Sequence, residues 1–384
     1  MLRPWRWLLA CSLALALSAR AHATWSIVVV DVRTGEVAVA SATCLPGDLE
    51  RLVPVVVPGV GAAAAQANGD TSGQNRQLIQ SGFLLGLAPS EILAALASTD
   101  PGHGGRQYGI VDLFHAPVTH TGIGVGFAKP SRVGSVGDLR YAIQGNVLTG
   151  DEVVIAAEYR LLTTEGDLSE RVLAAMLAAR LYGGDGRCSC NFAHPTQCGS
   201  PPPDFEKSAH SGFLVVARIG DTLGTCEKTL GCATGSYYLD LNMVGKFIDP
   251  DPVRVLDGQY RAWRASMVGR VDQVHSDVRA SKTTLVANGK DELVVTLTLA
   301  DLERRRIPHG GHTVRIEPLN TPSPVTIVGA LVDHGDGTYS FPIRAGTSSG
   351  VDTWRVIVTE QQKDVVLLPD VVVTASAPTA SRAR

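Results

Sequence analysis

This sequence lacks an excess of charge of either sign. Its 34 Lys and Arg against 37 Asp and Glu leave a formal net charge of −3 over 384 residues, so no basic field points to nucleic acid or an anionic membrane as partner. Long hydrophobic runs are scarce too. The one apolar run that imitates a membrane span, Trp7 to about Leu17, is too short to cross a bilayer, and nothing later reaches spanning length. Ready-made catalytic and metal patterns are also lacking. His103, His115, His120 and His210 form no triad-like pattern and read mostly as surface or satisfied core residues. Asp333 and Asp336 lack the spaced carboxylates and distal Glu of a calcium loop. The reading calls for no cofactor and no metal.

What is present begins at the amino terminus. Arg3 and Arg6, the apolar stretch, and Ala21-His22-Ala23 with small residues at the two positions a signal peptidase reads make residues 1–23 a secretory signal peptide. Leu8-Leu9-Ala10-Cys11 superficially resembles a lipoprotein site, but the apolar stretch continues past Cys11 and too little precedes it. Cleavage after Ala23 makes Thr24 the first residue of a secreted or periplasmic protein. An amino-terminal Thr carries a hydroxyl nucleophile and a free amine together, and that amine, with a pKa of about 7.7–8.0, can act as general base near neutral pH. The bland alternative is that signal peptidase often leaves a small or polar residue first.

Ser26 to Asp31 has a buried-strand pattern, Thr34-Gly35-Glu36 is a turn, and Val37 to Ala42 is a second strand. Thr24 therefore opens a hairpin, at the exposed start of its first strand. This opening resembles the N-terminal-nucleophile hydrolase fold, and more specifically the family called domain of unknown function 1028, whose members open with Thr, an aromatic, Ser-Ile-Val and a Thr-Gly-Glu turn. Further family-like blocks are Gly59 to Asn68, Arg106 to Asp112, Gln144 to Leu148, Gly183-Gly184-Asp185 with Arg187, Lys207-Ser208-Ala209 and Asp249 to Val253. The resemblance implies an α+β, four-layer αββα sandwich with the nucleophile on the first strand. The family name itself carries no activity.

Two departures matter. Proteasome-type Thr hydrolases keep an Asp near the end of the second strand and a Lys on the next, whereas Val37 to Val57 offers only Asp48, Glu50 and Arg51, and the first Lys of the chain is Lys129. The second is a Cys-rich insertion, residues 188–205.

Removing 23 residues leaves 361, comfortable for two domains. These are expected at 24–275 and 276–374, followed by a flexible tail, 375–384. Six cysteines remain after the signal: Cys44, Cys188, Cys190, Cys198, Cys226 and Cys232. Cys188, Cys190, His194 and Cys198 also read as a zinc set, but an oxidising compartment and a spacing unlike paired knuckles favour disulfides. Cys226 and Cys232 are close enough for a loop-closing bridge. Other pairings stay open.

Helices are expected over Gly73–Leu85, Glu91–Ala97, Asp151–Thr163, Arg171–Tyr182 behind an Asp167–Glu170 capping box, and from Asp251-Pro252 to about Val271. Ser211–Ile219 and Ser236–Leu241 return as strands. From Lys282 the chain reads as short β segments at Glu292–Leu299, Thr313–Glu317, Val325–Val332, Tyr339–Arg344, Thr353–Thr359 and Val365–Thr374, an all-β sandwich. Asp336-Gly337-Thr338-Tyr339 resembles a turn of bacterial immunoglobulin-like domains.

Gln66, Asn68, Arg106, Gln144 and Asn146 are the candidate substrate-binding residues beside catalytic Thr24. They sit in family-like blocks at strand ends or turns, where they line a pocket or satisfy buried backbone. Ser26 and Ser41 either approach the Thr24 amine or are buried. Two function classes follow: an amidohydrolase acting on an unknown small amide or peptide-like substrate, or a catalytically inactive hydrolase-fold protein in a binding or surface-structural role. In the latter the C-terminal domain engages a cell-surface polymer.

Overall fold

The computed structural model describes residues 24–319 and 324–378. The expected signal peptide and residues 379–384 of the expected tail lie outside the described residues. Strand β1 (Thr24–Asp31) shows why the first domain is layered. Side chains alternate along a strand. Ile27 and Val29 enter one apolar cluster, Val28 and Val30 another, so both faces of the strand must be covered.

β1 is an inner strand of a six-stranded antiparallel sheet, between β2 (Glu36–Thr43) and β8 (Leu139–Asn146). Beyond β2 lie β9 (Ser211–Ala217) and β10 (Leu239–Met243), and beyond β8 lies β7 (Ser131–Val136). Helices α3 (Glu152–Thr163), α4 (Leu168–Leu181) and α6 (Pro252–Ser266) cover one face through Val153, Ala157, Leu161, Val172, Met176, Val253 and Leu256. The other face packs on a second antiparallel sheet, β3 (Pro54–Val57), β4 (Gly61–Ala67), β5 (Arg106–Asp112) and β6 (Val118–Thr121). Its outer face is closed by α1 (Gln74–Leu84) and α2 (Pro89–Thr99) through Ile79, Phe83, Ile92 and Leu96. The result is the four-layer αββα sandwich.

Local chemistry explains the helix ends. Asp167 accepts from Glu170 N at 3.1 Å while Glu170 Oε2 accepts from Asp167 N at 3.2 Å, so α4 starts at Leu168, three residues before the expected start. Gly183 and Gly184, at φ 102° and 59°, end it. α6 stops at Ser266 rather than near Val271, with Gly269 at φ 77° following. In the Cys-rich insertion a short helix, α5 (Gly186–Ser189), is followed by a loop closed by Cys190–Cys198.

The carboxy-terminal part is all β. One sheet orders β11 (Asp277–Ala280), β13 (Glu292–Thr298), β17 (Thr338–Ala345) and β15 (Thr326–Val328), with β16 (Val332–Asp333) also on β17. The other orders β12 (Thr284–Val286), β19 (Lys363–Ser376), β18 (Gly350–Glu360) and β14 (Thr313–Pro318). Val295, Leu297, Tyr339, Phe341, Trp354, Val356 and Val373 fill the space between. The single strand expected over Val325–Val332 is two, because its register on β17 shifts by one residue between Val328, opposite Ile343, and Val332, opposite Ser340; Gly329 N still bonds Pro342 O at 2.8 Å, but Pro342 has no N–H to return. The expected tail from Ala375 begins too early, since Ala375 is 2% exposed and pairs with Leu285 and Gly350. Strands β11 and β12 were not anticipated. Asp333 and Asp336, considered for calcium, accept from the backbone amides of Gly311, Gly335 and Thr338.

Val271 packs in the core of the sandwich and Asp272 N donates to Ala300 O at 2.8 Å, a few residues ahead of the expected start at 276, and the two parts meet there through a buried ion network. Arg218 Nε donates to Glu36 at 2.8 Å and Nη1 to Asp272 at 2.6 Å. Around it Gln273 Nε2 donates to Ile219 O at 2.7 Å, and Lys363 Nζ to Tyr237 O at 2.8 Å.

Candidate functional site

The interlayer between the two sheets changes character along its length. At one end it is apolar, with Val28, Val30, Val37, Val39, Ala62, Ala64, Val111 and Ala142. Continuing the same two-residue alternation toward the start of β1, the same face carries Ser26 and Thr24 on β1 and Ser41 and Thr43 on β2. It carries Gln66 on β4, Gln107 on β5, and Gln144 and Asn146 on β8. Each of the eight is at most 3% exposed. Polar side chains so buried need hydrogen-bond partners, and most find them in one another, while Gln144 Nε2 donates to Ala64 O at 3.4 Å.

Thr24 pairs with Asn146 across β8, and its Oγ1 donates to Thr43 Oγ1 at 3.4 Å. Its carbonyl accepts from Gln66 Nε2 at 3.0 Å and Asn146 Nδ2 at 3.5 Å. Gln107 organises the amides: its Oε1 accepts from Gln66 Nε2 at 2.8 Å and Asn146 Nδ2 at 3.1 Å, and its Nε2 donates to Gly145 O at 2.8 Å. Ser26 Oγ shares its single proton between Gln66 Oε1 and Ser41 Oγ, and Ser41 Oγ donates to Trp25 O. Gln144 Oε1 and Asn146 Oδ1 are buried without a partner. Thr24 is 3% exposed, so it is buried, against the exposed start expected of it. Ser26 and Ser41 are buried in this network.

Gln66, Gln144 and Asn146 thus gather around Thr24. Asn68 and Arg106 do not join them. Arg106 lies on the face of β5 opposite Gln107, where its Nε donates to Asp100 at 2.8 Å and its Nη1 to Asn68 O. Burial raises the Asp100 carboxyl, but bonds from Arg106, Asn75 and Gly102 outweigh it and lower the pKa to about 2.

Three residues of this region were missed as site members: Thr43, the partner of the Thr24 hydroxyl, Gln107 and Asp185. Gln107 lies within the Arg106–Asp112 block, and the alternation Gln107, Gly109, Val111 was the available signal. Asp185 follows the glycines that end α4. It is 0% exposed, and its Oδ2 accepts from Cys44 N at 2.6 Å, one residue beyond Thr43. Arg187 grips the same carboxylate through Nε at 3.1 Å and Nη2 at 2.7 Å. A bidentate pair of this kind is a strong charge-assisted contact. The first disulfide, Cys44–Cys188, fastens this segment to the end of β2; Cys190–Cys198 and Cys226–Cys232 complete the set. His210, whose N donates to Thr43 O at 2.7 Å, stands beside it. Burial lowers its imidazole pKa, and Lys207 and Arg187 add to this. Although Cys44, Cys188 and His210 lie close enough to hold a metal, both sulfurs are committed to the disulfide. The Cys188, Cys190, His194 and Cys198 zinc set is dismantled by the same pairings.

Fold and site define a two-part protein, an αββα domain followed by a bacterial immunoglobulin-like sandwich. Residues 24–193 match the model of the Family of unknown function (DUF1028), and residues 272–374 match that of Invasin, domain 3, so the resemblance read from the sequence holds for both parts. Among solved structures, a Silicibacter pomeroyi protein carrying the same unknown-function family model is 20% identical, over 62% of this chain and 85% of that one, at TM-score 0.47. The Yersinia pseudotuberculosis adhesin InvE is 24% identical over 28% of each chain at TM-score 0.24. Invasin, a bacterial integrin-binding protein, is 20% identical over 44% of this chain and 26% of that one, also at 0.24. No curated protein matches the chain. Among the described residues no helix is long and apolar enough to cross a membrane.

Proposed function

We propose that the chain is an exported amidohydrolase whose nucleophile, Thr24, is released by removal of residues 1–23. The observation carrying this reading is the placement of Thr24. It is the first described residue of an inner strand in an αββα sandwich, its hydroxyl on Thr43 and its carbonyl held by Gln66 and Asn146. Thr24 Oγ attacks the amide carbonyl carbon as the Thr24 amine takes the hydroxyl proton. The C–N bond breaks, the departing nitrogen receives that proton, and an ester on Oγ remains. Water, deprotonated by the same amine, then cleaves the ester to a carboxylic acid and restores the hydroxyl.

The Asp and Lys missing from β2 and β3 have a replacement in this account. Asp185 and Arg187 bring a buried, mutually neutralised charge pair to the end of β2, one residue past the partner of Thr24. Asn146 is the proposed oxyanion donor, because its Nδ2 reaches Thr24 O only at 3.5 Å and is readily redirected. Three disulfides fit an oxidising, extracellular compartment.

N-terminal sequencing and intact mass of exported protein provide the test, together with three variants. Thr24 must be first with a free amine. Thr24→Ala should abolish amide turnover, Thr24→Ser should keep part of it, and a one-residue extension before Thr24 should silence it. A start elsewhere ends the mechanism. The second reading, a catalytically inactive binding or surface-structural protein, draws on the match of residues 272–374 to an invasin domain. Equal binding of a glycan or surface polymer by wild type and Thr24→Ala, without turnover of any amide, would favour it.

A further inference from the structure

Large apolar side chains stand in water around one end of the first domain. Ile123 is 94% exposed, Phe127 84%, Phe192 61%, Phe247 68% and Ile248 90%. They come from three segments far apart in sequence, and a hydrogen bond or ring contact ties each to the end of the six-stranded sheet where β1 begins. The carbonyl of Phe127 accepts from Val147 N at 2.8 Å, one residue after the Asn146 that pairs with Thr24. Phe192 lies with its ring centre 5.8 Å from the guanidinium of Arg187, which holds Asp185 at the end of β2. Phe247 meets His210 edge-on at 5.0 Å between centroids, and His210 N bonds Thr43 O.

All three loops are braced in this arrangement. Lys129 Nζ donates to the carbonyls of Gly122, Ile123 and Val125, each at 3.2 Å. The loop bearing Phe192 is closed by Cys190–Cys198, and Asn191 Oδ1 accepts from Ala193 N at 3.0 Å and His194 N at 2.7 Å. Lys207 Nζ donates to Phe247 O at 2.6 Å, and Asp249 Oδ2 accepts from Lys246 N at 2.8 Å. A slack loop can fold an apolar tip away from water, whereas a braced tip keeps it exposed. Fixed apolar surface of this kind marks a place that is covered in use, and bracing lowers the ordering cost of covering it.

We propose that this rim receives the apolar part of the substrate, an amide carrying a long acyl chain that lies across Phe127, Phe192 and Phe247 as its carbonyl enters toward Thr24. The inference rests on the Thr24 reading and names the substrate class for that site. Inward from the rim the buried side chains are polar, Asn146, Gln107 and Gln66, surroundings that suit the amide and not the acyl chain.

The test compares N-dodecanoyl and N-acetyl amides of one chromogenic amine, using the mature full chain. The dodecanoyl amide should be turned over with a kcat/KM about 100-fold higher or more, since each methylene covered contributes appreciably to binding. The double variant Phe127→Ser, Ile248→Ser should lower that ratio about tenfold. A ratio near one in the wild type, or one the variant does not move, overturns the proposal. Binding of a fluorescent dodecanoyl amide to Thr24→Ala separates this claim from the hydrolase reading. Rim-dependent binding with no cleavage by wild type keeps the apolar ligand and removes the enzyme; cleavage of short amides alone does the reverse. Rim-dependent sedimentation with phosphatidylcholine vesicles, without binding of the free amide, would assign the rim to a lipid surface and contradict the proposal.

Discussion

Asn146 carries the sharpest residue-scale prediction. Its Nδ2 has one bond to Gln107 Oε1 at 3.1 Å and a long one to Thr24 O, while Oδ1 has no partner. If it donates to the oxyanion, Asn146→Ala should lower kcat by about 10²–10³ with little change in KM, the usual effect of losing one such donor. Circular dichroism should show the fold retained. Equal losses in kcat and thermal stability would instead make Asn146 a structural amide. Part of this site was legible in the residues: Gln66, Gln144 and Asn146 stood out as polar residues of family-like blocks at strand ends or turns. Gln107 was open to the same logic and was passed over, while Arg106 beside it drew attention by its charge. Asp185 gave no local signal of its role, because its partner Cys44 is 141 residues away.

At the scale of elements, the disulfides differ in what they constrain. Cys44–Cys188 spans 144 residues and Cys226–Cys232 only 6. By chain entropy the first should contribute about 5 kcal/mol and the second about 2 kcal/mol, with strain reducing either. Urea unfolding of Cys44→Ala/Cys188→Ala and of Cys226→Ala/Cys232→Ala should therefore rank the first pair as the larger loss. The reverse order would mean that the long span is already constrained in the unfolded chain. Thiol counting under denaturing conditions should find none of the six free. Elements with strong local chemistry were legible. β1 and β2 are apolar on both faces, and α4 announces itself by Asp167 and Glu170. β11 and β12, of four and three residues, were not, because edge strands that short carry too few alternations to register and form by pairing with β13 and β19.

The whole molecule depends on the joint at Arg218, which no local pattern reveals: Glu36, Arg218 and Asp272 are brought together only by the fold. Removing Arg218 would leave two buried carboxylates without their cation, so Arg218→Ala should cost about 3–5 kcal/mol and loosen the two parts. Calorimetry and small-angle scattering read both effects. The two carboxylates respond oppositely to their surroundings. For Glu36 burial outweighs Arg218 and raises the pKa; its protonation on acidification therefore costs no stability. For Asp272 burial is outweighed by the charges and bonds of Arg218 and His275, which hold the carboxyl well below its usual range. A depressed carboxylate stabilises above its unfolded pKa of about 3.9, and that contribution is lost as pH falls toward the folded value. The joint should hold from neutral pH to about pH 4 and open below it. Opening between pH 6 and 5 would contradict this assignment.

The central claim is that Thr24, once first in the chain, is a nucleophile. Its most direct test is mass spectrometry of the amino-terminal peptide after mature protein meets an electrophile selective for activated hydroxyls. The account predicts one stoichiometric adduct, on Thr24 Oγ, lost in Thr24→Ala and in protein extended by one residue. An unmodified Thr24 peptide in mature, folded protein, or equal labelling of the extended chain, would contradict it.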